Sequence, residues 1–366
     1  MDIILGYESF GIVIALIIGI IGYGIFSLGR RFQRKGSKWL FKGTGCIILL
    51  LFLVLLGGSV YHVYQVISLE QKYPPPGEIY DVDGIKMHIW AEGTNVKNND
   101  GQLSPTIIFI PGSYSPGIYM WHLHKEISKE TRSILFDRAG TGWSQKSPYP
   151  RHVKRDNLEL KKLLDAAGEK SPFILVGHSW GGFFAINFAY YHPDMVAGLV
   201  IFEGVPPSTG AEAEGLLGGV KFSRIESIAK LFGATSFLMK WVEWGEEVDP
   251  DSPQFIYEPL REVWDLCETS EIKAQTSWST AVSYKAKIDN PEIQVIEEEA
   301  LGDIPIYAIY RSAWASGERV SKLSKKGVFI RPPEGSTHNF PYGFPEYCSE
   351  KIREMIALVM EGNNSE

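Results

Sequence analysis

Cysteine is scarce: the 366 residues hold three, Cys46, Cys267 and Cys348. Three thiols exclude a disulfide-stapled secreted scaffold, although the sequence leaves open a pairing of Cys267 with Cys348. No Cys/His spacing matches a zinc site. Basic residues are outnumbered, Lys+Arg 36 against Asp+Glu 43, for a formal net charge of -7. An acidic chain without a Lys/Arg cluster on its body is a poor match for nucleic acid, because phosphate neutralisation needs clustered cations. Internal repeats are absent. Apolar residues are not lacking: 45% hydrophobic and 13% aromatic exclude a disordered protein. The length allows one large domain or two smaller ones.

The charge is unevenly placed. Residues 1–69 hold two acids, Asp2 and Glu8, and six bases, so the acidity belongs to the remainder. Phe10 to Leu28 contains no charge in 19 residues, and Gly43 to Leu69 none in 27. A bilayer core of ~30 Å needs about 20 apolar residues as helix. The start, Met1-Asp2-Ile3, lacks the basic residues and the small-residue cleavage site of a signal peptide. Residues 1–69 are therefore expected to form two transmembrane helices, about 10–28 and 44–67, joined by a basic loop, 29–43. Arg30, Arg31, Arg34, Lys35, Lys38 and Lys42 place that loop in the cytoplasm by the positive-inside rule. The expected location is the cell membrane, multi-pass, with everything after Leu69 on the extracytoplasmic side. Residues 70–77, ending Pro74-Pro75-Pro76-Gly77, read as a stiff spacer.

Beyond Gly77 short apolar runs alternate with helical spacing. The runs are Thr106–Ile110, Ser133–Phe136, Phe173–Val176, Leu199–Phe202, Ile304–Tyr310 and Val328–Ile330. Such runs fit strands buried on both faces of a parallel sheet. Helices are expected over Asn157–Ala167, Phe183–Tyr191 and Phe344–Met360. The alternation defines a doubly wound α/β sheet. Lys86–Trp90 alternates like an antiparallel edge strand. The expected organisation is a core of 78–206 and 301–366 with a helical cap, 207–300, inserted between two strands. The cap carries Trp241, Trp244, Trp264 and Trp278, and Phe222, Ile225, Ile228, Ala229 and Phe232 at helical spacing.

Gly177-His178-Ser179-Trp180-Gly181 is a G-x-S-x-G turn between an apolar strand and a helix. A serine there stands proud of the sheet, and small residues on either side avoid clashes. Phe173 to Glu203, with Asp137-Arg138-Ala139-Gly140-Thr141-Gly142-Trp143-Ser144 before it, resembles the α/β-hydrolase superfamily, most nearly its esterase, lipase and peptidase-like members. The resemblance runs over roughly 78–358 and is weakest in the cap. It implies a mostly parallel sheet of the α/β-hydrolase type and a catalytic triad.

Within that resemblance Ser179 is the nucleophile, and His338, after the last strand, holds the place of the base. His178 reads as structural, His122 and His124 as helix or loop residues, His62 as part of a span, and His88, His152 and His192 as surface residues. The triad acid stays open. The usual place, after Ile304–Tyr310, has no Asp, and Glu318 comes several residues late; Glu203, directly after Leu199–Phe202, is the favoured alternative. Trp180 and Ser113 are the expected oxyanion-hole donors, with Tyr114 in reserve for Ser113. Asp137 and Arg138 read as a structural turn. The expected reaction is cleavage of a carboxylic ester through an acyl-enzyme, lipid-like esters being favoured by the membrane tether and an expected apolar pocket. The partners are then a small-molecule ester and the membrane, with no metal or cofactor. A serine rather than an aspartate at the turn argues against epoxide-hydrolase or dehalogenase chemistry. An aminopeptidase of the same superfamily and a non-catalytic membrane binding protein on this fold are the alternatives.

Overall fold

The computed structural model describes residues 6–98, 100–113, 115–149, 152–207, 213–234, 272–289, 295–311 and 317–362. Trp241, Trp244, Trp264, Cys267 and Tyr114 lie outside them. The chain divides into two compact units.

The first unit is helical. Helices α1 (Phe10–Leu28) and α2 (Lys35–Lys72) are long and apolar enough to cross a membrane, by length and composition. They are packed through small residues: Gly11 faces Ser59, Gly19 faces Phe52, Gly22 faces Ile48, and Gly45 faces Phe26. One number rises as the other falls, the register of an antiparallel hairpin. A Cβ at Gly19 would meet the Phe52 ring at 2.8 Å, and one at Gly45 the Phe26 backbone nitrogen at 2.6 Å. Small residues at these positions let the two helix backbones approach closely. The connection between them is shorter than the 29–43 loop expected. Lys35, Lys38 and Lys42 stand on the first turns of α2, because lysine is a good helix former.

The same unit holds the second half of helix α6 (Ala213–Leu231) and the first turn of α7 (Ala274–Asp289). Glu8 is buried there. One carboxylate oxygen is 2.6 Å from His62 Nε2 and accepts from the Ala274 N–H at 3.0 Å; the other accepts from the Gln275 N–H at 2.9 Å. A carboxylate on the unsatisfied N–H groups of a helix start satisfies donors that have no intrahelical partner and meets the positive end of the helix dipole. Lys273 pairs with Glu70 at 2.6 Å alongside.

The second unit carries the sheet. Strands are β1 (Glu78–Val82), β2 (Ile85–Glu92), β3 (Thr106–Ile110), β4 (Ser133–Phe136), β5 (Phe173–His178), β6 (Val196–Phe202), β7 (Ile306–Ile309) and β8 (Gly327–Ile330). Their order is β1-β2-β4-β3-β5-β6-β7-β8, with β3 to β8 parallel, β2 antiparallel to β4, and β1 antiparallel to β2. The alternating strand expected at Lys86–Trp90 is β2. It is not the edge, because β1 pairs along its outer side. Glu78–Val82 lacks the apolar run that marks the other strands, since only Val82 is buried there.

Alternate residues of each strand feed opposite faces. Ile108, Ile110, Phe173 and Leu175 pack against α4 (Val153–Ala166) and α5 (Trp180–Tyr191). Ile107, Phe109, Ile174 and Val176 pack against α3 (Trp121–Ile127) and the C-terminal helix α8 (Pro345–Gly362). Cys348 is a buried free thiol on α8.

The D-R-x-G-x-G-x-S stretch follows β4, and its Asp137 is fully buried. The carboxylate accepts from the Gly117 N–H at 2.7 Å and the Trp143 N–H at 2.9 Å, and it lies 2.9 Å from His88 Nδ1. His88 is therefore not a surface residue: it is 3% exposed. Burial works to lower its pKa, but the facing Asp137 outweighs burial and raises it. Asp137→Ala leaves the Gly117 and Trp143 N–H groups and the buried His88 ring without their acceptor. Such losses cost about 3–5 kcal/mol. Denaturant unfolding of the variant should show a destabilisation of that order, and an unchanged midpoint would contradict this account.

Candidate active site

Ser179 sits between β5 and α5 with φ 54° and ψ -120°, a region that L residues rarely occupy. The strain persists because the surroundings fix it. Its N–H donates to the Phe202 carbonyl at 3.0 Å, and its carbonyl accepts from Gly182 at 3.0 Å and Val205 at 2.9 Å. A Cβ at Gly181 would run into the Ile110 carbonyl, and one at Gly177 would lie 2.6 Å from the Gly181 oxygen. The two glycines of the motif are thus required by backbone-to-backbone contact.

His338 Nε2 is 3.0 Å from Ser179 Oγ. On the other side of the ring, Nδ1 is 3.7 Å from Glu203 Oε2, within ion-pair range and longer than a hydrogen bond. Glu203 follows β6 with φ 48°. Its carboxylate also accepts from the Arg311 N–H at 2.5 Å and lies 3.4 Å from the Arg311 guanidinium. Partial burial works to raise the Glu203 carboxyl, but His338 and Arg311 outweigh it and hold its pKa below the ordinary value. Glu318, the other acid considered, is exposed at the start of the short helix Glu318–Ser321. Among the described ion pairs, the acid facing His338 is Glu203.

The loop carrying His338 is held by two buried histidines. His178 Nε2 donates to the His338 carbonyl at 2.9 Å, and His122 Nε2, from α3, donates to the Pro341 carbonyl at 2.8 Å. A carbonyl only accepts, so each ring carries its proton on Nε2. Burial lowers both pKa values to about 4, which keeps the rings neutral at pH 7. His124 is lowered further, to about 3, by burial and then by Lys125, and its Nδ1 bonds Ser133 Oγ at 2.8 Å. The structural reading of His178 holds. The sequence offered no sign that His122 reaches the other end of the site, because the contact spans 219 positions.

Gly112, at the end of β3, faces Ser179 closely: a Cβ there would lie 3.3 Å from the Ser179 Cβ. Ser113 and Trp180 share the wall of a pocket completed by Arg138, Thr141, Ser283 and Tyr284, among others. The Arg138 guanidinium also donates to the Gly112 carbonyl, which ties the pocket to the loop after β3. The lining mixes hydroxyl and charged side chains with Ala139 and Trp180. The Lys287 ammonium lies 5.3 Å from the Trp180 ring centroid and 4.6 Å from that of Phe183. Among the described residues no group of three or more His, Cys, Asp and Glu side chains is arranged to hold a metal.

Comparison with known proteins agrees with this architecture. Residues 105–239 match the sequence profile of the alpha/beta hydrolase fold. The uncharacterized protein YbdG of Bacillus subtilis is 30% identical over 160 residues, 43% of this chain and 47% of that protein. Epoxide hydrolase 4 of Mus musculus is 30% identical over 132 residues, 35% of this chain and 34% of that protein. The chain thus spans between a third and a half of the length of these curated relatives. Among solved structures, a thermophilic esterase from Thermogutta terrifontis superposes with a TM-score of 0.57 at 20% identity, covering 77% of this chain and 97% of that one. Strand order and these similarities show that the chain has the α/β-hydrolase fold.

The buried histidines set a pH dependence. A histidine whose folded pKa is depressed from 6.5 to about 4 binds its proton more readily when unfolded. Its stabilising contribution is full above pH 6.5 and falls as the pH drops towards 4, by on the order of 3 kcal/mol for each such ring. His122→Gln keeps a donor towards Pro341 without titrating. The fall in melting temperature between pH 6.5 and pH 4 should be shallower in the variant than in the wild type. Equal slopes would contradict neutral burial of His122.

Proposed function

We propose that this chain is a membrane-anchored serine hydrolase that cleaves carboxylic esters through an acyl-enzyme on Ser179. The observation that carries the reading is the line from Ser179 Oγ to His338 Nε2, 3.0 Å, and from His338 Nδ1 to Glu203, 3.7 Å. His338 takes the hydroxyl proton as Ser179 Oγ attacks the ester carbonyl. Glu203, kept ionised by its cationic and N–H neighbours, stabilises the imidazolium that forms. The developing oxyanion is met by the backbone N–H groups of Trp180 and Ser113. His338 then returns the proton to the departing alkoxide. A water activated by the same ring attacks the acyl carbon and frees Ser179.

The relatives support hydrolysis more broadly than ester cleavage, since an esterase and an epoxide hydrolase both stand among them. A serine at the turn favours acyl transfer. The position of the triad acid also fits the chain order Ser, acid, His. In this reading residues 207–300 form a cap over a core of 78–206 and 301–366, and α1 and α2 span the membrane. The six bases at their connection lie in the cytoplasm, so the catalytic body faces the other side.

The test is labelling of the detergent-solubilised full chain with a fluorophosphonate, followed by turnover of aryl esters. Wild type should label, and Ser179→Ala should not. Glu203→Gln should lower kcat by about 10³–10⁴-fold, as loss of a triad carboxylate does, while Glu318→Gln stays near wild type. A loss confined to Glu318→Gln would overturn the assignment of the acid. Absence of labelling in folded wild type would overturn the hydrolase reading.

A further inference from the structure

Helix α6 is amphipathic in the inverted sense over residues 221–231. Ser223 and Ser227 are fully buried, and Lys230 is 5% exposed. Phe222, Ile225 and Ile228 are 55%, 68% and 49% exposed. At 100° per residue these three share one side of the helix, opposite the serines. In water a helix turns its apolar stripe inward, so an exposed stripe of large apolar side chains marks a surface that something else covers.

The neighbours of α6 in its own unit say what covers it. The buried serines face polar partners: Ser227 Oγ is 3.0 Å from the Tyr7 hydroxyl and donates to the Ala274 carbonyl at 2.8 Å, and Lys230 donates to Ser277 Oγ at 2.9 Å. The C-terminal end of α6 is seated on the helix hairpin through glycines. A Cβ at Gly11 of α1 would run into the Leu231 carbonyl, and one at Gly58 of α2 into the Phe232 carbonyl. Gly11 is the second residue of the charge-free run that begins at Phe10. The contact therefore lies at the end of the apolar segment where α1 begins, beside the exposed apolar residues Phe10, Val13 and Val60. Arg224, exposed, borders the stripe, and Lys221, also exposed, stands at its N-terminal end; both suit lipid phosphates.

We propose that residues 221–231 lie in the extracytoplasmic leaflet as an interfacial helix, with Phe222, Ile225 and Ile228 against lipid acyl chains. The inference rests on the proposed membrane spans and adds a third lipid contact, supplied by the segment read as the cap. It gives the chain a lipid-facing surface beyond its anchor.

The experiment places an environment-sensitive nitrobenzoxadiazole dye on single cysteines of the full chain with Cys46 and Cys267 replaced by Ala and the buried Cys348 kept. The sites are Ile225→Cys, Leu53→Cys in α2, and Lys325→Cys on the body. The protein is placed in phosphatidylcholine–phosphatidylglycerol vesicles with and without doxyl-labelled lipid. The expected result is blue-shifted emission with doxyl quenching at positions 53 and 225, and neither at position 325. Quenching at 53 with water-like emission at 225 would overturn the inference and leave the spans standing. Blue-shifted but unquenched emission at 225 would overturn it in favour of cover by a second copy of the chain. Absence of quenching at 53 would overturn the membrane reading on which it rests.

Discussion

Where β5 turns into α5, backbone passes directly against backbone. Gly177 lies against Gly181, Gly181 against the Ile110 carbonyl, and Gly182 against Gly204. No side chain fits in any of these gaps. That closeness lets the parallel strands β3, β5 and β6 deliver three chain segments to one point at the carboxyl edge of the sheet. Ser179 is then held at φ 54° by bonds to Phe202, Gly182 and Val205. Glu203 leaves the end of the neighbouring strand β6, and Gly112 leaves the end of β3. The positions of Ser179, Glu203 and Gly112 depend on these contacts.

Electrostatics around the site is divided between two kinds of histidine. His122 and His178 are buried without a carboxylate and are neutral, so each serves as a fixed N–H donor to the loop that carries His338. His88 is buried against Asp137 and is driven towards the cation. The first kind loses stability in acid. The second contributes below its raised pKa and loses that contribution as the pH rises through it. His338 differs from both, being half-exposed at the surface of the site with a carboxylate on one side and a hydroxyl on the other.

The sequence carried the parallel sheet because Thr106–Ile110, Phe173–Val176 and Leu199–Phe202 are almost unbroken apolar runs, which burial on both faces explains. Local motifs singled out Ser179 and His338, whose side chains lie 3.0 Å apart. The sequence did not carry β1, whose residues are mostly exposed, nor the burial of His88, whose partner Asp137 is 49 positions away. It left the acid open between Glu203 and Glu318, because strand-end position alone does not say which carboxylate faces the histidine. Arg311 and His122 were not picked out, since a backbone N–H on Glu203 and a ring on Pro341 depend on long-range packing. Glu8 was legible only as a charge flanking an apolar run. Its burial on the first turn of α7 spans 266 positions and has no local signature.

The central claim is that Ser179 forms a covalent acyl intermediate with His338 as its base. Intact-protein and peptide mass spectrometry of the full chain, quenched in acid during turnover of an aryl acetate, tests it most directly. The account predicts one acetyl group per chain, located on the peptide that contains Ser179 and absent from Ser179→Ala and His338→Ala. Turnover without any adduct on that peptide, or an adduct retained in Ser179→Ala, would contradict it.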